Sequence, residues 1–160
     1  MLEGLSPYRA IWSTLEATAR SLGLEVQRFE VRELTAFDSA FAAMTHAQID
    51  ALIVLGDPFF DPHLARIAAL AVQHRLPSIG PRRGSAEAGS LLSYGANLSW
   101  SERGQRIAAY VDRILKGATP ADLPVERPMN YELIINLKTA QALGLTLAPT
   151  FLFRAHEVIR

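Results

Sequence analysis

The sequence contains no cysteine, no excess of either charge and no long apolar run, and each absence excludes a class of protein. The lack of cysteine excludes disulfides, zinc–thiolate sites, iron–sulfur clusters and thiol catalysis. Sixteen Lys and Arg residues balance sixteen Asp and Glu residues, which argues against a general nucleic-acid binder and a polybasic membrane-surface module. The longest apolar stretches, at 51–55 and 67–72, are far shorter than the ~20 residues that a membrane span needs.

Motifs of the common enzyme classes are also missing. The sequence has no Gly-x-Gly-x-x-Gly fingerprint, no P-loop and no Gly-x-Ser-x-Gly elbow. Its four histidines are scattered without metal-ligand spacing, so we expect neither a metal nor a cofactor. Because no nucleophile and base stand in a recognisable arrangement, we expect a protein that is not an enzyme.

The length and the apolar content of the chain are those of one α/β domain. A chain of 160 residues with 49% apolar residues can bury one core, and a mean hydropathy of +0.12 is high for a solitary soluble domain. The opening residues have neither a basic start nor a continuous apolar run, so as written the sequence predicts a soluble chain without an export signal.

Helical and strand patterns alternate along the chain. N-cap residues and apolar spacing predict helices over 6–22 (Ser6 as N-cap, Pro7 at N1), 37–48 (capped by Asp38), 61–74, 99–114 (capping box Ser99/Glu102) and 137–143 (capped by Asn136). Strands are predicted at 24–31, 51–55, 77–80, 91–94 and 132–136, the second of them central and buried on both faces. Helix and strand alternate in units of ~25–30 residues, which predicts a mostly parallel sheet flanked by helices on both faces. We expect an α/β lobe over 1–117, followed over 118–160 by a connector and a strand–helix segment that packs on this lobe or on a partner.

In such a sheet, ligands bind beyond the carboxyl ends of the strands, which makes the loops there informative. The loop after the most buried strand holds Asp57, Phe59 and Phe60. The two phenylalanines either cover the sheet edge or stack on an organic ligand, because exposing both to water is costly. Asp57 either accepts a hydrogen bond from a ligand amine or caps the following turn.

Two further loops offer candidate side chains. Arg82 and Arg83 follow the third predicted strand and either grip a carboxylate or phosphate or lie solvated at the surface. The segment from Ser93 to Asn97 follows the fourth, where the hydroxyl of Tyr94 and small residues either line a cleft or pack as ordinary half-buried groups.

Several segments resemble a known family. The runs 91–98 (LLSYGANL), 121–128 (ADLPVERP) and 132–145 (ELIINLKTAQALGL) closely resemble the C-terminal half of the substrate-binding proteins of a bacterial ABC uptake family. Those proteins look like type I periplasmic binding proteins, and some are associated with aromatic amino acids. The upstream part, 15–81, is similar to the second lobe of the family, whose members are about twice as long as this chain.

The resemblance implies a Rossmann-like lobe that binds a small, carboxylate-bearing solute, aromatic in some members of the family, without catalysis. The loop positions that it places toward the ligand are Ser6, Tyr8, Asp57, Phe59, Phe60, Arg83, Ser93 and Tyr94. It also implies an ABC permease as partner and a periplasmic location, whereas the sequence as written would leave a complete chain in the cytoplasm.

Two other functions compete with solute binding. In the first, the exposed cleft face pairs with a second copy of the chain or with a separate lobe, which makes a homo-oligomer the expected state. In the second, Asp57 or the Arg82/Arg83 pair acts on a phosphorylated substrate in a small α/β enzyme. The acidic residues and the lysine that a phospho-acceptor domain needs are not visible.

Overall fold

The computed structural model describes residues 6–96, 100–126 and 130–160, with side chains from residue 11 onward except that of Trp100. The chain divides into two compact units, one ending at Ala47 and the other running from Gln48 to Arg160. The two units are described separately below.

The first unit contains two helices, α1 (Ser6–Ser21) and α2 (Ala36–His46). Both were predicted, and the expected stop signal for α1, Gly23, lies two residues after its last residue with a φ of +71° that suits a residue without Cβ. The predicted cap of α2 is wrong. Asp38 lies inside the first turn, the N-cap is Thr35, and its side chain makes no capping hydrogen bond.

The strand predicted over 24–31 is not present in the structure, although all of these residues are described. Leu24 is largely exposed. The polar side chains of the segment pair locally, Arg28 with Glu30 at 3.3 Å, and Arg28 also lies over the ring of Trp12 in α1. The prediction was wrong because alternating apolar and polar residues are typical of a strand but do not form one by themselves. A strand also needs a neighbouring strand whose backbone groups form hydrogen bonds with it.

The second unit is built on a sheet of five strands in chain order: β1 (Leu52–Ile53), β2 (Ser78–Gly80), β3 (Leu92–Ala96), β4 (Tyr131–Asn136) and β5 (Glu157–Ile159). Its helices are α3 (Leu64–Gln73), α4 (Arg83–Glu87), α5 (Trp100–Leu115), α6 (Leu137–Ala142) and α7 (Pro149–Leu152). Three of the four pairings are parallel and one, β3 with β4, is antiparallel. The predicted α/β fold with a mostly parallel sheet is therefore confirmed.

Three details of the sheet differ from the prediction. The strand predicted as central and doubly buried is β1, which forms an edge of the sheet within the described part of the chain and leaves Ile53 half exposed. The apolar residues on both faces of this strand did not place it in the centre of the sheet. Its position depends on which other strands pair with it, and its own residues do not specify them. Strand β5 and the short helix α4 were not predicted.

Helix α4 lies very close to one face of β2, β3 and β4, and glycines make this approach possible. A Cβ on Gly80 would lie 2.2 Å from the Ser85 hydroxyl, and a Cβ on Gly95 would lie 1.8 Å from the Pro81 carbonyl oxygen. Both distances are far inside van der Waals contact. The backbone after β2 therefore turns into α4 directly against the sheet only because these two positions have no side chain.

The C-terminal end of α4 is held by side chains from the β4–α6 junction. The Asn136 amide donates to the Ala86 carbonyl at 2.9 Å, and the Thr139 hydroxyl donates to the Gly89 carbonyl at 2.8 Å. These bonds tie the end of α4 and the turn after it to the β4–α6 junction, where the Ala86 carbonyl also accepts from the Gly89 backbone N–H at 3.1 Å. Asn136 also accepts from the Thr139 backbone N–H at 3.1 Å, which confirms it as the cap of α6.

A substitution pair tests the close approach at Gly95. Gly95→Ala places a methyl group on the Pro81 carbonyl, whose backbone has to move, so we expect unfolding free energy to fall by more than 2 kcal/mol. Gly104→Ala is the matched control: it lies in α5 with nothing within 4 Å of its added Cβ, and it should gain up to about 1 kcal/mol in helix propensity. Urea unfolding of both variants measures the difference, and a Gly95→Ala variant as stable as the unsubstituted protein would show that the contact is not tight.

Candidate functional site

The loops after β1 and β2 and the beginning of β4 meet at one end of the sheet. Because β1, β2 and β3 are parallel, their carboxyl ends share this edge, and the antiparallel β4 begins there. An ion pair joins two of the loops: Arg82 Nη1 lies 2.9 Å from Asp61 Oδ2. The structure thus brings the predicted loops to the same edge, where an open α/β sheet binds its ligands.

Asp57 organises the loop after β1. Its Oδ1 accepts a hydrogen bond from the Phe59 backbone N–H at 2.8 Å, and its carbonyl accepts from the Phe60 N–H at 2.9 Å. This is the turn-capping role that the sequence analysis gave as the alternative to ligand binding. The residue as a whole is only partly buried.

Phe59 and Phe60 pack against each other. Their ring centroids lie 5.5 Å apart in an edge-to-face arrangement, and the Phe59 ring also meets His63 at 5.7 Å. Both phenylalanines are only partly buried. The loop therefore presents a preformed aromatic surface held by ring contacts rather than two flexible side chains.

Arg83 occupies the first turn of α4 and is surrounded by carboxylates from three elements. Its guanidinium contacts Glu157 at 2.6 Å, Glu132 at 3.3 Å and Glu87 at 3.4 Å. Hydrogen bonds to Glu157 and then Glu132 raise the pKa of Arg83 above its usual value. Arg83 thus connects α4 to β4 and β5, and this group of four side chains carries two net negative charges when all are ionised.

Glu132 is the buried member of this group, with a relative exposure of 6%. A carboxylate removed from water requires a counter-charge, and Arg83 provides it through two nitrogens. Sequence reasoning missed Glu132 because it lies 49 positions from Arg83. An acidic residue within an otherwise apolar strand was the available signal.

Ser93 and Tyr94 point to opposite faces of the sheet, as successive strand residues do. Ser93 is buried on the face that α4 covers, and its hydroxyl has no hydrogen-bond partner among the described residues. Tyr94 is half exposed on the other face and stacks on Tyr131 of β4. The structure therefore separates these two predicted residues, and it adds Tyr131, which the sequence analysis did not select.

Two predicted residues lie outside what the structure describes. The backbone of Ser6 and Tyr8 belongs to α1, but their side chains are not among the described ones. In the rest of the described chain, no group of three or more His, Asp or Glu side chains is placed to hold a metal ion. No described helix has the length and apolar character needed to cross a bilayer.

A second surface feature lies on α5. This helix and the following segment enclose a groove of about 600 Å³, lined by Arg106, Ile107, Tyr110, Val111, Ile114, Pro120, Leu123, Pro124, Val125 and Glu126. The Tyr110 hydroxyl donates to the Pro124 carbonyl, and Arg106 pairs with Glu126 at 3.3 Å. Ile107 and Leu115 remain 66% and 81% exposed. The apolar side of α5 is thus only partly covered by its own chain.

The pattern of the chain over residues 9–159 matches the family model of the ABC transporter substrate binding protein. The chain belongs to this family. No curated protein sequence matches it significantly. The family is a substrate-binding one, in agreement with the resemblance of segments 91–98, 121–128 and 132–145.

Several solved structures are similar to this chain. A conserved domain protein from Vibrio cholerae superimposes with a TM-score of 0.85 at 24% identity, covering 98% of this chain and 52% of that one. An ABC domain from Streptococcus pneumoniae, in complex with L-Trp, gives a TM-score of 0.81 at 27% identity over 95% of this chain and 50% of its own. The ligand-free, open structure of a substrate binding protein with adhesive properties from Clostridium difficile gives a TM-score of 0.68 at 20% identity. The match covers 98% of this chain and 52% of that one. The chain therefore spans about half the length of these solved structures.

Arg83→Met tests whether the carboxylate group depends on Arg83. The substitution retains much of the aliphatic length but leaves buried Glu132 without its counter-charge. We expect unfolding free energy to fall by about 2 kcal/mol, less than for a fully buried pair because Arg83 is partly exposed.

Glu87→Gln provides the control for Arg83→Met. It removes a solvent-exposed partner of the same guanidinium and should change stability by less than ~0.5 kcal/mol. Thermal and urea unfolding of both variants measure the two effects. Equal stabilities of Arg83→Met and Glu87→Gln would contradict a structural role for the Arg83–Glu132 pair.

Proposed function

We propose that this chain is a solute-binding lobe of a bacterial ABC uptake system that holds a small carboxylate-bearing, aromatic solute without catalysis. The observation that carries the proposal is the edge where the parallel strands end. The partly exposed rings of Phe59 and Phe60 and the arginines Arg82 and Arg83 follow neighbouring parallel strands at this edge, and Tyr94 lies on the open face of the sheet. Membership of a substrate-binding family, and a similar structure in complex with L-Trp, support the same ligand class.

The proposed ligand-binding residues are those expected from the sequence: Ser6, Tyr8, Asp57, Phe59, Phe60, Arg83, Ser93 and Tyr94. Among them, the paired rings of Phe59 and Phe60 offer the clearest support, because their contacts with each other and with His63 hold them in place before any ligand arrives. Ser93 has the weakest support, since its side chain is buried under α4.

The charges near Arg83 favour an amino acid over a simple carboxylic acid. Three glutamates surround this guanidinium, so a ligand carboxylate has to compete with them for its nitrogens. An α-ammonium group, in contrast, meets a surplus of negative charge. A zwitterion satisfies both partners at once, which is why we propose an amino acid as the ligand.

The proposed setting follows from the family. An ABC permease would take the solute from the binding protein, and the periplasm is where such a protein would meet it. Tested by itself, the 160-residue lobe should bind with modest affinity, because one lobe leaves part of the ligand in contact with water whereas pockets usually bury ~70–90% of a ligand.

Isothermal titration calorimetry with L-Trp, L-Phe and L-Leu tests this proposal. We expect binding of the two aromatic amino acids, and Phe59→Leu and Phe60→Leu should each weaken L-Trp binding about fivefold through lost ring contact. Phe153→Leu is the matched control, because Phe153 is 90% exposed and is not among the proposed ligand-binding residues. Absence of measurable heat with all three amino acids would remove the support for solute binding.

The exposed apolar row on α5 favours a second candidate, an interaction module. Ile107, Val111 and Leu115 are all exposed on one helix, and an apolar row of this kind usually marks a contact surface. We propose that the row packs against a second α/β lobe and that another copy of this chain provides one. The resulting homodimer would bury the groove beside Pro124.

Sedimentation velocity over a range of concentrations tests the dimer. We expect a concentration-dependent dimer that Ile107→Glu and Val111→Glu abolish, because each places a charge in the proposed contact. Gln105→Glu adds the same charge to the opposite side of α5 and should leave the dimer intact. A monomer at every concentration would rule out self-pairing through α5.

A further inference from the structure

The stacked pair Tyr94 and Tyr131 has no role in the packing of α4 and is placed like a binding surface. In the β3–β4 ladder Tyr94 stands opposite Leu133, and Tyr131 stands opposite Ala96. The two tyrosines are therefore diagonal neighbours on the same face of the sheet. Their ring centroids lie 5.8 Å apart with an angle of 22° between the ring planes, so the rings stack nearly in parallel.

Both rings remain open to solvent. Tyr94 is 55% exposed and Tyr131 is 48% exposed, although Ile134 and Ile135 in the same strand as Tyr131 are completely buried. Large aromatic groups gain free energy when they are removed from water, so a fixed and half-exposed pair leaves much of this gain unused. A planar ligand that covers the pair would recover it.

The position of the pair also points to the ligand. Tyr131 begins β4, and β4 begins at the edge where β1, β2 and β3 end. The Phe59/Phe60 loop belongs to the same edge. Glu132, the next residue after Tyr131, points to the opposite face and binds Arg83, so the aromatic and the charged groups occupy different sides of one strand.

We propose that Tyr131 is a specificity-determining residue which, with Tyr94, forms a platform for the aromatic ring of the bound amino acid. Tyr94 alone would present a single ring. Tyr131 enlarges the surface and, by stacking, fixes the orientation of Tyr94. This inference rests on the proposed solute-binding function and adds the residue that selects an aromatic over an aliphatic side chain.

Calorimetry with L-Trp and L-Leu as probes tests the platform. We expect Tyr131→Thr, which keeps a strand-forming residue, to weaken L-Trp binding about tenfold and L-Leu binding less than twofold. Tyr131→Phe keeps the ring and should bind L-Trp as the unsubstituted protein does. Phe153→Leu again serves as the control.

The outcomes separate this inference from the proposed function. If the unsubstituted protein binds neither probe, the proposed function and the platform both fail. If it binds L-Trp and Tyr131→Thr binds it equally well, only the platform is wrong. An equal loss for L-Trp and L-Leu in Tyr131→Thr would also overturn the platform, since it would reflect structure rather than selectivity.

A measurement on the unsubstituted protein does not depend on how the Tyr131→Thr variant folds. The chain has four tyrosines, and ring-labelled tyrosine gives each a separate NMR signal that single Tyr→Phe substitutions assign. Adding L-Trp should shift the signals of Tyr94 and Tyr131 through the ring current of the indole. The signal of Tyr110, which bonds to Pro124 beside α5, should stay in place. Unshifted Tyr131 at saturating L-Trp would overturn the proposal.

Discussion

The architecture of the sheet-containing unit depends on how closely α4 approaches β2, β3 and β4. Two glycines clear the space for it at one end, and hydrogen bonds from Asn136 and Thr139 hold its carbonyl groups at the other. The Arg83 guanidinium adds a charged connection to β4 and β5. Because a helix of five residues has almost no intrinsic stability, these tertiary contacts hold α4 in place.

This arrangement divides the two faces of the sheet at its carboxyl edge. On the face under α4, Glu132 and Ser93 are enclosed, and the negative charge of the former is balanced by Arg83. On the other face, Tyr94 and Tyr131 remain open to solvent. At this edge the charged group under α4 and the open aromatic pair are therefore separated by the strands themselves.

Much of the fold followed from local patterns, and the failures share one cause. Helices α1, α3, α5 and α6 and strands β2, β3 and β4 were predicted because caps, prolines and apolar spacing act within a few residues. The strand expected at 24–31 and the central position expected for β1 both failed. Each depends on which segment becomes a neighbour, and a single strand does not carry that information.

For the candidate site, the sequence by itself determined the family, the α/β fold and the loops that gather at the carboxyl edge, since these follow from motifs and from the alternation of elements. Only the tertiary structure paired Arg83 with Glu132 and Tyr94 with Tyr131. The partners in these pairs lie 49 and 37 positions apart, and what brings them together is the antiparallel register of β3 and β4 and the position of α4 on that pair. Contacts of this range depend on backbone geometry and not on any pattern of neighbouring residues.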